Sequence, residues 1–355
     1  MSADEIRLKK AKIFLHAINT GTGGGLTLLN ELALALGDFK PVLSAQIDSR
    51  VCFPVQQWPK LEIIYIKPNL LNRIKAEINL RLKNKSFQLI LCFGSLPPLF
   101  KIKANVVIFL QNRYLIDNVS LSGFRLRTKL KIFLERCWLK YRTQNSYKYI
   151  VQTESMKSLL MKNISINASN ILVQPLFNSL DLKVNLSKDK IYDFIYVASG
   201  EPHKNHRKLI DAWVILANKN IYPSLCLTLD PVIYKSVLDK VEKLKIEHNL
   251  QIFNVGHVSN KAIYLYYASS SALIFPSLLE SFGLPLMEAS KVGIPILASE
   301  MDYVRDLITP SQSFDPNSPL SISRAVERFL GVHQDFHKPL SGKIFIDNIF
   351  SLFGQ

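Results

Sequence analysis

The sequence predicts an α/β protein of two doubly wound domains facing each other across a cleft. Three observations predict it. Short β-rich runs alternate with longer helical patterns along the chain, which calls for parallel sheets with helices on both faces. The runs fall into two sets around a polar stretch within 173–190, and 355 residues exceed what one ordinary core holds. The charge is also divided. Residues 1–180 hold 26 Lys and Arg against 10 Asp and Glu, whereas residues 181–355 hold 18 of each, so the whole net charge of +16 lies in one half.

In the first half, KIFLHAI (12–18), PVLSA (41–45), EIIYI (62–66), FQLILCF (87–93), NVVIFL (105–110) and YIVQT (149–153) read as strands, with a helix at 24–36. In the second, DFIYVAS (193–199), SLCLTLD (224–230), LQIFNVG (250–256), SALIFPS (271–277) and PILAS (295–299) do the same, with helices at 205–219, 233–248, 261–268 and 285–292. The expected division is 1–178 for the first domain and 179–340 for the second, with a terminal helix in 341–355 that can pack back on the first domain. Ligands of doubly wound sheets sit at the carboxyl ends of strands, so candidate residues belong just after strands.

Composition narrows the classes. The first residues, MSADEIRLKK, carry two acids and no long apolar run, unlike a signal peptide. No stretch reaches the run of about 18 apolar residues that a spanning helix needs. Cys52, Cys92, Cys137 and Cys226 lie far apart without C-x-x-C spacing, which points to a reducing compartment. A soluble, cytosolic chain is expected.

The glycine-rich stretch NTGTGGGLTLLNEL (19–32) follows the first strand and opens a helix. Glycines there let backbone N–H groups approach a phosphate closely. The G-x-G-x-x-G fingerprint of dinucleotide sites fails in both registers, because Leu26 or Leu28 stands where the third glycine belongs.

Between 122 and 150, eight Lys or Arg accompany the single Glu135. Leu126, Leu130, Ile132, Phe133, Cys137, Trp138, Leu139 and Tyr141 recur at roughly helical spacing. Such a helix either meets an anionic membrane surface or faces the core with a solvated basic back. No nucleic-acid motif accompanies it, and no nucleic-acid partner is expected.

The chemistry concentrates in SALIFPSLLESFGLPLMEASKVGIPILASE (271–300). Glu280 lies in the loop after a strand, and Phe282-Gly283-Leu284 leads into a helix whose first position suits Pro285. Gly293 and Pro295 end that helix, and Glu288 lies one turn inside it. The helix N-terminus offers N–H donors and a positive dipole end to a diphosphate. Carboxylates repel phosphate but accept the hydroxyl protons of diols. A diphosphate between two diols describes a nucleotide sugar.

The string S-x-x-E-S-F-G-L-P-x-x-E-A-x-x-x-G-x-P closely resembles the E-x7-E signature of the retaining family 4 glycosyltransferases. The segments at 255–277 and 314–330 are similar to the same family, and YVASGEPHKNHRKLIDAW (196–213) resembles its branch among bacterial polysaccharide transferases. The resemblance implies the GT-B fold, two Rossmann-like domains, and transfer from a nucleoside-diphosphate sugar without a cofactor or metal. No D-x-D triplet occurs in the chain.

Carried over residue by residue, it implies that Glu280 contacts the donor sugar and Glu288 the ribose. The backbone at Phe282, Gly283 and Leu284 holds the distal phosphate and sugar, with Val258 also on the donor side. Lys204 neutralises the leaving diphosphate. Many relatives place an arginine five residues earlier, where this chain has Ser199, so His203 and Arg207 become the candidates for a second positive charge. Gly23, Gly24 and Gly25 keep the opposite wall free of side chains.

On the acceptor side, relatives use a histidine where this chain has Gln111 and Asn112. These amides either bond a sugar hydroxyl or are loop residues without a ligand. Arg113 either meets an anionic acceptor or is a surface residue, and His16 lies either at the cleft or in the core.

The implied activity is retaining transfer of a hexose or deoxyhexose to a growing bacterial surface glycan, O-antigen or capsule. The acceptor is a lipid-linked or free oligosaccharide, met at the inner face of the cytoplasmic membrane. A catalytically silent nucleotide-sugar-binding subunit and a nucleotide-sugar epimerase of the same fold are the rivals.

Overall fold

Hydrophobic periodicity becomes two sheets. The computed structural model describes residues 12–39, 42–52, 62–83, 86–177, 189–260, 262–332 and 341–352. The domain boundary expected at 178/179 and most of the polar stretch after it lie outside these residues.

The first half runs β1 (Lys12–Ala17), α1 (Gly23–Phe39), β2 (Val42–Asp48), β3 (Glu62–Ile66), α2 (Leu70–Lys83), β4 (Leu89–Cys92), β5 (Asn105–Phe109), α3 (Leu126–Arg142), β6 (Lys148–Val151), α4 (Glu154–Ile164) and β7 (Ile171–Val173). The second runs β8 (Tyr192–Tyr196), α5 (His206–Ala217), β9 (Leu225–Leu227), α6 (Lys235–His248), β10 (Ile252–Asn254), α7 (Ile263–Ala268), β11 (Ser270–Phe275), α8 (Leu284–Val292), β12 (Ile296–Ser299), α9 (Asp302–Arg305), β13 (Gln312–Phe314) and α10 (Pro319–Phe329). A last helix, α11, spans Gly342–Ser351.

The strands pair in parallel, in the orders β3-β2-β1-β4-β5-β6-β7 and β10-β9-β8-β11-β12-β13. Burial explains the sequence pattern. Ile13 to Ala17 of β1 are all buried, as a strand covered on both faces requires. Leu28, Leu29 and Ala33 of α1 pack on one face of the first sheet. Leu80 of α2, Leu139 of α3, and Met156 and Leu160 of α4 pack in a separate cluster. Right-handed crossovers account for the division, since the chain moves one way across the sheet through α1 and the other way through α2, α3 and α4.

In the second domain, His206, Leu209, Ile210, Trp213, Leu216 and Ala217 turn inward from α5 at helical spacing. Ser318 caps α10 by accepting a hydrogen bond from the Ser321 amide, just before Pro319 at the helix start.

Each strand expected from the sequence forms, shifted by a few residues at its ends. The strands β7 and β13 and the helices α2, α4, α9 and α10 were not among the expected elements. Ile344, Phe345, Ile346 and Phe350 of α11 are exposed.

Each sheet reverses direction once. The chain leaves β1 toward β2 and β4 toward β5, and it leaves β8 toward β9 and β11 toward β12. The crevice for a ligand lies outside the carboxyl ends at these reversal points. The loops there carry the glycine stretch after β1, Lys204 after β8 and Glu280 after β11.

Candidate active site

Lys204 and Glu280 come from the loops after β8 and β11, which are neighbours in the sheet. The Lys204 Nζ donates to Glu280 Oε1 at 2.6 Å, and Ser277 Oγ donates to the same oxygen at 2.7 Å. Both side chains are mostly sheltered. An ammonium has three N–H donors, so the pair leaves donors for an incoming phosphate. Three buried tyrosines fix the surrounding loops. Tyr196 Oη donates to the Lys204 carbonyl at 2.5 Å, and Tyr303 Oη to the Ser277 carbonyl at 2.8 Å. Tyr267 Oη donates to Glu288 Oε2 at 2.8 Å. Burial raises the Glu288 pKa, and the tyrosine bond opposes the shift without cancelling it.

Gly283 stands at the N-cap of α8 with φ +84°, a left-handed conformation that favours glycine, and no side chain caps it. Pro285 takes the second helical position rather than the expected first. It has no N–H, which leaves the amides of residues 283 and 284 as the candidate donors at this helix end. The Phe282 side chain is buried, which leaves its backbone as the part able to face a ligand. Gly293 closes the helix at φ +81° as expected. Val258 packs against the second domain's core.

The glycine stretch faces this loop from the other domain. A Cβ on Gly24 would stand 3.2 Å from Leu284 Cδ1, and one on Gly25 would stand 3.1 Å from Gln111 Oε1. Glycine is therefore what lets the two walls approach. Thr27, Leu28, Tyr264, Leu284 and Glu288 line a narrow recess between the domains, where Asn260 Nδ2 donates to Thr27 Oγ1 at 3.2 Å.

The expected second positive charge does not come from His203. Burial and the neighbouring Lys204 push its pKa down to about 4, so it is neutral at pH 7. Its ring instead meets Tyr114 edge-on and stacks on Phe124, both from the first domain. Arg207 is exposed in the first turn of α5. At the position of Ser199 the structure brings a carboxylate into play. Ser199 Oγ and Tyr234 Oη both donate to Glu201, the latter at 2.7 Å, and together they outweigh the effect of burial and hold its pKa below the usual range.

Arg113 is neither a surface residue nor free for an acceptor. Its Nη1 and Nη2 each donate to an Asp302 oxygen at 2.8 Å, and its Nε donates to Asp117 Oδ2 at 2.8 Å. Nη1 also reaches the Glu280 carbonyl at 3.3 Å. Burial works against both partners' charges, and the bidentate pair overcomes it, raising the Arg113 pKa and lowering that of Asp302. Arg113 is a clamp between the domains. A second tie lies beside it, where the Ser155 amide at the start of α4 donates to Asp306 Oδ2 at 2.9 Å.

Gln111 Nε2 donates to the Phe93 carbonyl at 2.9 Å, leaving Oε1 beside Gly25. Asn112 Oδ1 accepts from the Tyr114 amide and caps a short 3-10 turn, so a structural role accounts for it. His16 is a satisfied core histidine, between Gln46 Oε1 at 2.9 Å and Glu77 Oε1 at 3.1 Å. Glu201, Tyr234, Tyr267 and Asp302 were not expected from the sequence. Glu201, three residues before Lys204, was the most accessible of these, whereas Asp302 carries no motif. Among the described residues, no group of three or more His, Cys, Asp or Glu side chains is placed to hold a metal ion.

Residues 179–335 match the family described as Glycosyl transferases group 1. The serotype-specific mannosyltransferase WbdA of Escherichia coli is 29% identical over 161 residues, covering 42% of this chain and 19% of that protein. The O-antigen chain mannosyltransferase RfbU of Salmonella typhimurium is 24% identical over 184 residues, 52% of this chain and 48% of its own. The chain thus spans from about a fifth to about half of these relatives' lengths. In fold, it resembles Anabaena Alr3699/HepE, solved with UDP and glucose, at a TM-score of 0.66 and 14% identity over 90% of each chain. The architecture is that of the GT-B glycosyltransferases.

Proposed function

We propose that this chain, built on a group 1 glycosyl transferase domain, transfers a hexose or deoxyhexose from a nucleoside-diphosphate sugar to a growing bacterial surface glycan. The names of the mannosyltransferase relatives favour mannose and an O-antigen acceptor. The observation that carries the reading is the Lys204–Glu280 pair at the reversal point, set beside the uncapped start of α8 and opposite the glycine wall.

Each group has a task. The diphosphate lies against the Gly283–Leu284 amides and the Lys204 ammonium. As the sugar leaves, charge builds on the distal phosphate, and a cation fixed in a sheltered site lowers that barrier. Glu280, held by Lys204 and Ser277, accepts from sugar hydroxyls. Glu288, oriented by Tyr267, accepts from the ribose. We read the transfer as retaining and metal-independent, with the departing phosphate assisting deprotonation of the acceptor hydroxyl, so no separate base is named. The acceptor is a lipid-linked or free oligosaccharide, reached at the inner face of the cytoplasmic membrane. Among the described residues no helix is long and apolar enough to cross a membrane, which fits peripheral attachment.

Glu201, standing where a second cation was expected, favours one rival, a subunit that binds nucleotide sugars without turnover. A thermal-shift screen with GDP-, UDP-, dTDP- and CMP-sugars, followed by transfer assays with the stabilising donor, separates the two. Transfer that disappears in Glu280→Ala and Lys204→Ala supports the enzyme. Donor binding without transfer in the unaltered protein, given a panel of lipid-linked and oligosaccharide acceptors, supports the silent subunit. Transfer unchanged in both variants defeats the site.

A further inference from the structure

We infer that α2 and α3 together form a membrane-docking face that inserts an aliphatic ridge among acidic lipid headgroups. This deepens the membrane placement proposed above by naming the surface, and it does not depend on the chemistry assigned to the cleft.

The two helices lie side by side on one face of the first sheet. Arg73 of α2 donates to Glu135 of α3 at 3.2 Å and sits over the Trp138 ring at 5.0 Å. Their inward stripes are ordinary core, with Ala76 and Leu80 from α2 and Ile132 and Leu139 from α3. The sequence alone left open whether the apolar positions of 122–150 face the core. The structure divides them. Ile132 and Leu139 go inside, while Leu126, Leu130, Phe133 and Tyr141 remain exposed by 57% or more. Leu71, Ile74, Ile78 and Leu82 form a matching exposed stripe on α2, spaced at helical intervals.

Charge identifies what covers this ridge. The two helices contain two acids, Glu77 and Glu135, and both are buried. Glu77 is held by His16 and by the Leu99 amide, the latter at 2.8 Å, and Glu135 is held by Arg73. Every fully exposed charge on α2 and α3 is consequently positive, with Lys75, Arg127, Lys140 and Arg142 among them. A second copy of the chain brings the same positive face and is repelled. A polynucleotide matches the charge but offers little to six or more aliphatic side chains, since its bases stack on aromatic rings. A bilayer containing anionic lipid satisfies both halves of the surface. Aliphatic side chains enter the headgroup–acyl boundary, while Lys and Arg stay at the phosphates.

The test uses the full-length chain and sedimentation with vesicles of phosphatidylcholine, with or without phosphatidylglycerol, and no donor or acceptor. Each basic residue near an acidic surface multiplies partitioning by roughly fivefold. Binding is expected to require phosphatidylglycerol and to weaken with salt. The triple variant Arg127→Glu, Lys140→Glu and Arg142→Glu is expected to lower it by about a hundredfold or more. Leu130→Ser, Phe133→Ser and Leu134→Ser together, all at exposed positions, are expected to lower it at least about tenfold with an unchanged circular dichroism spectrum. Lys240→Glu, on the other domain, serves as the control and leaves it unchanged. Equal binding to neutral vesicles, or acidic-vesicle binding that survives both triple variants, overturns the inference. So does binding to single-stranded RNA without binding to vesicles. Because no sugar donor is present, failure here leaves the transfer reading untouched, and failure of transfer leaves this surface untouched.

Discussion

Lys204 and Glu280 stand 76 residues apart in sequence and 2.6 Å apart in space, because the strands that precede them are neighbours at the point where the sheet reverses direction. Neither loop holds its residue alone. The Tyr196 hydroxyl fixes the lysine's backbone, and Ser277 shares the glutamate's oxygen. The pair is a preformed charge arrangement, and on the proposed function it receives a diphosphate and a sugar.

Breaking one side of such a pair strands the other charge in a sheltered place. Lys204→Met and Glu280→Gln should each lose roughly 2 kcal/mol of stability, discounted for partial exposure. The double variant should be less destabilised than the sum of the two, as read from urea midpoints. All three should lose about a hundredfold or more in transfer. Strict additivity of the stability losses would show that the pair is not coupled.

The Arg113 fork matters through its shape as well as its charge. Arg113→Lys keeps the charge but cannot bond both Asp302 oxygens in parallel while also holding Asp117. It should lower kcat/KM about tenfold, and Arg113→Ala should lower it further, with a larger radius of gyration in solution scattering as the domains part. An unchanged scattering profile together with unchanged kinetics would contradict the clamp.

Acid should destabilise the protein through its buried histidines. Burial and the adjacent Lys204 hold the His203 pKa at about 4 and that of His206 at about 3. An unfolded histidine protonates near pH 6.5, so below that pH the unfolded chain binds more protons than the folded one. Stability from this source is complete above about pH 6.5 and declines as the pH falls toward 4 and then 3. Asp302 and Glu201, with lowered pKa values, add losses at more acidic pH as each is protonated. Both ring nitrogens of His206 lack a hydrogen-bond partner among the described residues. His206→Leu should therefore flatten the decline of melting temperature between pH 6.5 and 4 at little cost at pH 7. A profile as steep as that of the unaltered protein would place the acid sensitivity elsewhere.

Gly24 separates stability from activity. It lies in the first turn of α1, where alanine is tolerated better than glycine by up to about 1 kcal/mol. Its Cβ would press on Leu284 at 3.2 Å. Gly24→Ala should melt no lower than the unaltered protein yet transfer more slowly, and Gly24→Val more slowly still. Full transfer in Gly24→Val would mean that the two walls need not approach during turnover.

Local chemistry made much of this legible in advance. Strand periodicity, the glycine and proline around α8, and the two glutamates of 271–300 are properties of neighbouring residues, and they survive folding. Arg113 and His203 were not legible for one shared reason. Each is defined by partners far away in sequence, respectively Asp302 and the Phe124–Tyr114 pair with its desolvation. The basic helix α3 was half legible, since its composition showed charge and apolar character but could not say which leucines face water.

The sequence by itself determined the two parallel sheets, the concentration of charge in one half and the residue types of the donor loop, because these depend on spacing and composition. The tertiary structure decided which charges are paired, which are buried and which face solvent. Those depend on desolvation and on distances across strand neighbours and domains, quantities that a linear order does not contain.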